Sequence, residues 1–255
     1  MMPVLTVGGL ALQTRGLVML LAFWLALQVM DRAARRLALD PDDFWNASMV
    51  GLLAGLLGAR LGYVVQFWDV YRSNPSIALA LNVRDMAWPV GVVVGVAVLV
   101  GWLYRQRVPL TRAADVLVIG LAVAWGMAGL GAFLSGDAYG VPTNLPWGVV
   151  LWGERRHPVQ LYELVAGLAV AVVLWRLLPR RPFDGWLGLV GVAMLAGTRL
   201  VLEGFRATSA FVADGYRLRQ VEMWIVLLVV LAALAWWERD KAQEEVLDQR
   251  EEGMP

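Results

Sequence analysis

The sequence predicts an all-α membrane protein: a bundle of about seven transmembrane helices, N-terminus outside and C-terminus cytoplasmic. Three observations carry that prediction. Of the 255 residues 59% are hydrophobic and only 17% charged, too few to solvate the surface of a soluble domain. The apolar residues come in runs of about 17 to 25, the length that crosses about 30 Å of hydrocarbon at about 1.5 Å per residue. The polar–apolar alternation over about ten residues that marks barrel strands is absent.

The spans fall at residues 16–32, 45–68, 86–104, 112–134, 158–178, 184–203 and 220–237. The first is closed by Arg32, Arg35 and Arg36. The second carries the small-residue pairs Gly51/Gly55 and Gly58/Gly62, and the third carries Gly91/Gly95. Spacing of four lets two helices approach closely where lipid supplies no hydrophobic drive, so these glycines read as packing positions. Arg105, Arg107 and Arg112 join the third span to the fourth, whose early Asp115 suits a helix dipole. The fifth opens at His157–Pro158 and is joined to the sixth through Arg176, Arg180 and Arg181. Arg239 and Lys241 follow the seventh. These short, densely basic connections are the cytoplasmic ones by the positive-inside rule. Most of the tryptophans read as an interfacial belt. One bundle domain over residues 1–237 and a charged cytoplasmic tail over 238–255 account for the chain, with no internal repeat. Residues 69–85 and 135–157, rich in Pro, Gly, Asn and Trp, are then long outer loops with order of their own.

Composition excludes several classes of function. There is no cysteine, hence no disulfide and no thiol nucleophile, and one histidine cannot build a His-cluster metal site. A formal net charge of +1 gives no electrostatic case for nucleic acid. Neither G-x-S-x-G nor H-E-x-x-H occurs. No polar n-region and cleavage site precede the first apolar run, so no removable signal peptide is expected.

Polar residues at costly depths carry the functional signal, since a charge at mid-bilayer costs about 2.5–3.5 kcal/mol or more. Arg60 lies inside the second span. Arg199, Glu203 and Arg206 fall on one face at the outer end of the sixth. His157, Gln160, Tyr162 and Glu163 open the fifth, and Ser135 and Asp137 sit just past the fourth. The predicted topology brings all of them to the outer side, where arginine forks suit a phospholipid phosphate. An end-of-helix ion pair with snorkelling side chains would also explain Arg199, Glu203 and Arg206.

Several of these runs resemble bacterial phosphatidylglycerol–prolipoprotein diacylglyceryl transferases. RHPVQLYE, from Arg156 to Glu163, is similar to a specific signature of that family. RLVLEGFR (Arg199–Arg206), GARLGYV (Gly58–Val64, with Tyr63) and NLPWGV (Asn144–Val149) resemble three further segments, and Gln220 stands where a glutamine often opens the last helix. Other positions depart from the pattern. The family's central motif runs roughly G-R-x-G-N-F-x-N-x-E-x-x-G, whereas this chain has AGLGAFLSGDAYG from Ala128 to Gly140. Gly129 thus replaces the arginine, Ala132 and Ser135 the asparagines, and Asp137 the glutamate. Pro89 aligns with a family histidine and Arg15 with a tyrosine.

The resemblance implies transfer of a diacylglyceryl group from phosphatidylglycerol to the lipobox cysteine thiol of a prolipoprotein, forming a thioether and releasing glycerol phosphate. It implies a multi-pass protein of the bacterial inner membrane, with no cofactor; its partners are phosphatidylglycerol, the lipobox signal peptide and membrane lipid. On this reading Arg199 and Arg206 stabilise the phosphate, with Arg60 a further candidate, and Glu203 orients one of them. The thiol proton, from a group with pKa near 8.5, goes to His157 or Asp137, or leaves without a dedicated base. Tyr63, Ser135, Gln160, Tyr162, Glu163 and Gln220 would line the substrate site. Two other readings stand beside it: a non-catalytic paralogue that binds phospholipid or signal peptide, and a small-solute transporter.

Overall fold

Each expected apolar run folds into a helix long and apolar enough to span a membrane, seven among the described residues. The computed structural model describes residues 4–7, 10–73, 76–77, 85–212 and 215–252. Its spanning helices are α1 (Thr14–Arg36), α2 (Pro41–Gln66), α4 (Trp88–Arg105), α5 (Leu110–Ser135), α6 (Val159–Leu177), α7 (Trp186–Glu203) and α8 (Leu218–Glu252), with a one-turn helix α3 at Trp68–Tyr71. Helix α8 runs through the charged tail as far as Glu252. Among the described residues, three two-stranded antiparallel hairpins, absent from the sequence reading, lie between or before the helices. They are β1 (Val4–Val7) with β2 (Leu10–Gln13), β3 (Val149–Leu151) with β4 (Glu154–Arg156), and β5 (Phe211–Val212) with β6 (Tyr216–Arg217). Of the outer segment 69–85, residues 74–75 and 78–84 lie outside the described residues.

The chain divides into two compact units, Met30–Ala113 and Met1–Val29 with Ala114–Pro255. In the first of these, α2 begins where Asp40 accepts a hydrogen bond from the Asp42 amide at 3.0 Å and Pro41 takes the first helical position. Its glycines pack against α4, as their spacing predicts. A Cβ at Gly91 would lie 2.6 Å from the carbonyl oxygen of Gly55, and one at Gly95 2.9 Å from that of Gly51. Backbone meets backbone along this seam, which no larger residue permits.

In the other unit α5 is the central helix. Its most apolar window is 61% buried, against 6% for that of α8, whose Leu228 and Val229 face outward as lipid-facing residues do. Glycines again set the approach. A Cβ at Gly167 of α6 would lie 2.6 Å from Gly126 Cα of α5, and one at Gly191 of α7 2.3 Å from Val118 Cγ2. The Asp115 carboxylate is spent on α7 rather than on its own helix. It accepts the amides of Gly185 at 2.9 Å and Gly188 at 2.8 Å, the open N–H groups of α7's first turn, and lies 3.4 Å from Arg181.

Candidate active site

Helix polarity in this unit puts the start of α6, the ends of α5 and α7 and the starts of α1 and α8 at one end. The end of α7 continues into a small sheet. Residues 139–143 run between the chain after α7 and strand β4, with bridges Gly140–Arg206 and Pro142–Arg156. Val141 N–H donates to the Phe205 carbonyl at 2.9 Å, Ala207 N–H to that of Tyr139 at 3.0 Å, and His157 N–H to that of Val141 at 3.1 Å. Gly140 is required here: a Cβ would lie 2.4 Å from the His157 carbonyl oxygen. This backbone lattice fixes Arg206 and His157 on either side of the row formed by residues 139–143.

Below the lattice lies a buried cluster of charges. Glu163, one turn into α6, accepts from both Arg199 and Arg206 through the same oxygen, Oε1. Glu203, 1% exposed, has Oε2 3.1 Å from Arg199 and 3.6 Å from Arg206, and its Oε1 accepts from the Ser209 hydroxyl at 2.7 Å. Arg217 adds a third guanidinium, donating to the Arg206 carbonyl at 2.7 Å and to the Glu203 carbonyl. Arg199 and Arg206 pair with the two carboxylates, whereas Arg217 meets only carbonyl and hydroxyl oxygens and adds a positive charge with no carboxylate partner among the described residues. Buried ions are tolerated when each is paired and hydrogen-bonded, and removing one partner from such a pair costs about 3–5 kcal/mol.

Beside the cluster, Gln160 is buried and donates to the Asp137 carbonyl at 2.7 Å. The Asp137 carboxylate pairs with Arg15 at 2.9 Å and accepts from the Ser135 hydroxyl at 2.9 Å. His157 faces Phe205 at 5.2 Å between ring centres, and its Nδ1 lies 3.3 Å from the Tyr162 hydroxyl, which accepts from the Trp147 indole at 2.9 Å. Helix α5 closes on α6 at Gly129, where a Cβ would stand 2.5 Å from the Gln160 carbonyl oxygen and 3.0 Å from Glu163 Cβ.

A model of the family described as prolipoprotein diacylglyceryl transferase matches residues 3–238. The chain belongs to the prolipoprotein diacylglyceryl transferase family. Relatives named phosphatidylglycerol–prolipoprotein diacylglyceryl transferase agree along most of their length. That of Clostridioides difficile (strain 630) is 27% identical over 218 residues, covering 85% of this chain and 87% of its own. That of Synechococcus elongatus is 27% identical over 248 residues, 90% and 85% of the two chains. That of Symbiobacterium thermophilum is 28% identical over 254 residues, 93% and 92%. Membership in this transferase family takes the place of the transporter reading.

The transferase-family fold brings most of the expected residues together at the ends of α5, α6 and α7: His157, Gln160, Tyr162, Glu163, Arg199, Glu203 and Arg206, with Ser135 as the last residue of α5 and Asp137 just beyond it. Gln220 instead donates to the Leu200 carbonyl at 3.3 Å, tying α8 to α7. Arg60 and Tyr63 belong to the other unit. Arg60 is buried, donates to the carbonyls of Asp85 at 2.9 Å and Ile77 at 2.8 Å, and stands over Tyr71 at 5.3 Å. The Tyr63 ring lies tilted against Phe67 at 4.6 Å between centres and edge-on to Tyr71 at 6.4 Å. Four participants escaped the sequence reading as site residues. Ser209 and Trp147 sit in irregular connections and Arg217 in the two-residue strand β6, all without periodicity, and Arg15 stood out only as a departure from a family tyrosine.

Proposed function

We propose that this chain transfers a diacylglyceryl group from phosphatidylglycerol to the lipobox cysteine thiol of a prolipoprotein, at the ends of α6 and α7. The observation that carries the reading is the convergence of Arg199 and Arg206 on Glu163 Oε1, with Glu203 behind them. Held this way, the planar guanidiniums keep fixed donor positions for a phosphate without reorganising as charge builds on it. The excess charge of Arg217 favours an anionic ligand. In the reaction the sulfur forms a bond to the glyceryl carbon, and the carbon–oxygen bond to phosphate breaks toward glycerol phosphate. The nucleophile arrives with the substrate, consistent with a chain that has no cysteine. The site faces outward across the bacterial inner membrane, with the tail at 238–255 in the cytoplasm, as the basic connections favour.

One observation favours a second reading, a paralogue that binds phospholipid or signal peptide without turnover. At Gly129, where the family motif has arginine, the contact with the Gln160 carbonyl leaves no room for any side chain. A transfer assay separates the two. Purified protein is given phosphatidylglycerol and a lipobox-cysteine peptide, and the peptide is weighed by mass spectrometry. A diacylglyceryl mass shift that disappears with Arg199→Ala supports transfer. No shift under conditions where a relative turns over, with phosphatidylglycerol still bound, leaves the second reading.

A further inference from the structure

Trp147, Tyr162 and His157 form a hydrogen-bonded row, and the row has a direction. An indole N–H can only donate, a phenol has one proton and two acceptor positions, and a neutral imidazole has one donor and one acceptor nitrogen. Tyr162 therefore accepts from Trp147 at 2.9 Å, and its own proton has one acceptor in reach among the described residues, His157 Nδ1 at 3.3 Å. A nitrogen that accepts carries no proton, so the proton of the neutral ring sits on Nε2. The reverse arrangement, with Nδ1–H donating, would give the phenol oxygen two donors and leave its own proton without an acceptor among the described residues.

Nε2 meets no partner among the described residues and is not one of the side-chain atoms buried without one, so it is an open donor. The backbone N–H of His157 donates to the Val141 carbonyl, and the Phe205 ring lies 5.2 Å away between centres, tilted by 55°.

We propose that Trp147 and Tyr162 hold His157 as the Nε2–H tautomer, so that His157 donates a hydrogen bond to a phosphate oxygen of the lipid instead of taking the thiol proton. The role toward the lipid rests on the transferase reading; the tautomer does not. The balance needs no protein base. A thiol of pKa near 8.5 loses its proton to water, leaving a few per cent thiolate at neutral pH. Thiolate sulfur gives its pair to the glyceryl carbon, and the pair of the breaking carbon–oxygen bond stays on phosphate, where Nε2–H meets the added negative charge. Trp147 and Tyr162 are positioning residues; His157 is the group that touches substrate.

His157 is the only histidine in the chain, so the tautomer can be read directly. The full chain, labelled with ¹⁵N-histidine and placed in phosphatidylcholine nanodiscs, gives one imidazole in the ¹⁵N spectrum. The expected result is a one-bond proton coupling on Nε2 and none on Nδ1 in the neutral form, with Trp147→Phe and Tyr162→Phe each giving a mixture. A proton resident on Nδ1 in the unaltered protein overturns the proposal, whatever the variants do. Adding phosphatidylglycerol should shift the Nε2 resonance; an unmoved resonance overturns the contact with lipid phosphate. Neither spectrum needs turnover, so an inactive chain would count against the transferase reading and leave the tautomer result standing. In the transfer assay His157→Gln, which keeps an N–H donor, should lose activity but clearly less of it than His157→Ala. His157→Ala should lose about 10²-fold, the usual effect of removing one donor from a developing oxyanion. Equal losses in both overturn the donor role.

Discussion

Arg199, near the end of α7, and Arg206, in the chain just after it, each place a guanidinium nitrogen on the same oxygen of Glu163. Glu163 is the hinge of the cluster, because neither arginine can leave without exposing the other to an incompletely paired carboxylate. Glu163→Gln keeps the shape and removes the charge, leaving Glu203 alone to balance Arg199 and Arg206. Loss of one partner from such a buried network should cost about 3–5 kcal/mol. Thermal unfolding in detergent and the transfer assay should both register it, as a lower melting temperature and loss of product. An unchanged melting temperature would show that Glu163 is not what holds the arginines.

Arg199→Lys separates charge from geometry. Arg199 reaches Glu163 through Nη1 and Glu203 through Nη2 at 3.1 Å, two directions that a planar fork serves at once. A lysine ammonium is a single point on a flexible stem. The variant should fold yet lose most of its transfer activity, by a factor of about 10² if one transition-state donor is lost. Near-normal turnover by the lysine form would mean that positive charge alone suffices.

Gly129→Arg restores the arginine of the family motif but should not restore the family's chemistry. The Cβ would sit 2.5 Å from a main-chain oxygen, which cannot swing away as the end of a side chain can. Helices α5 and α6 would have to separate, and they carry Asp137 and Glu163 with them. Overpacking of this kind typically costs about 1–3 kcal/mol. The expected outcome is a lower melting temperature and activity no higher than that of the unaltered chain. A gain in activity at unchanged stability would sink the idea that Gly129 is a packing residue.

The same glycine shows where reading the sequence works and where it stops. All seven spans and the seam of Gly51, Gly55, Gly91 and Gly95 were legible, because apolar length and small-residue spacing are local properties of the chain. The convergence of Glu163, Arg199, Glu203 and Arg206 was legible too, since alternating helix polarity sends their ends to one side. The partner of each charge was not. Nothing in the spacing of Asp115 says that it serves the next helix but one, and nothing local to Arg60 says that its guanidinium meets the carbonyls of Ile77 and Asp85. The hairpins went unseen for a related reason: two- to four-residue strands carry too little periodicity to register.

Asp115 offers the clearest separation of stability from chemistry. In the unit that holds the site it lies twenty residues along α5 from Ser135, about 30 Å at about 1.5 Å per residue, and is fully buried. Its two oxygens each take one amide of α7's first turn, so the two substitutions differ in a graded way. Asp115→Asn keeps one acceptor and turns an amide N–H₂ toward the other donor, orphaning one backbone N–H. Asp115→Ala orphans both and leaves Arg181 without its buried partner. Each buried orphan costs about 1–3 kcal/mol. Melting temperatures in detergent should therefore fall in the order unaltered, Asn, Ala. Transfer per folded molecule should be the same in all three, because no atom of the charge cluster is touched. A loss of specific activity at retained fold would mean that the start of α7 is coupled to Arg199 and Arg206 at its end, and that the helix transmits strain along its length instead of merely being held in place.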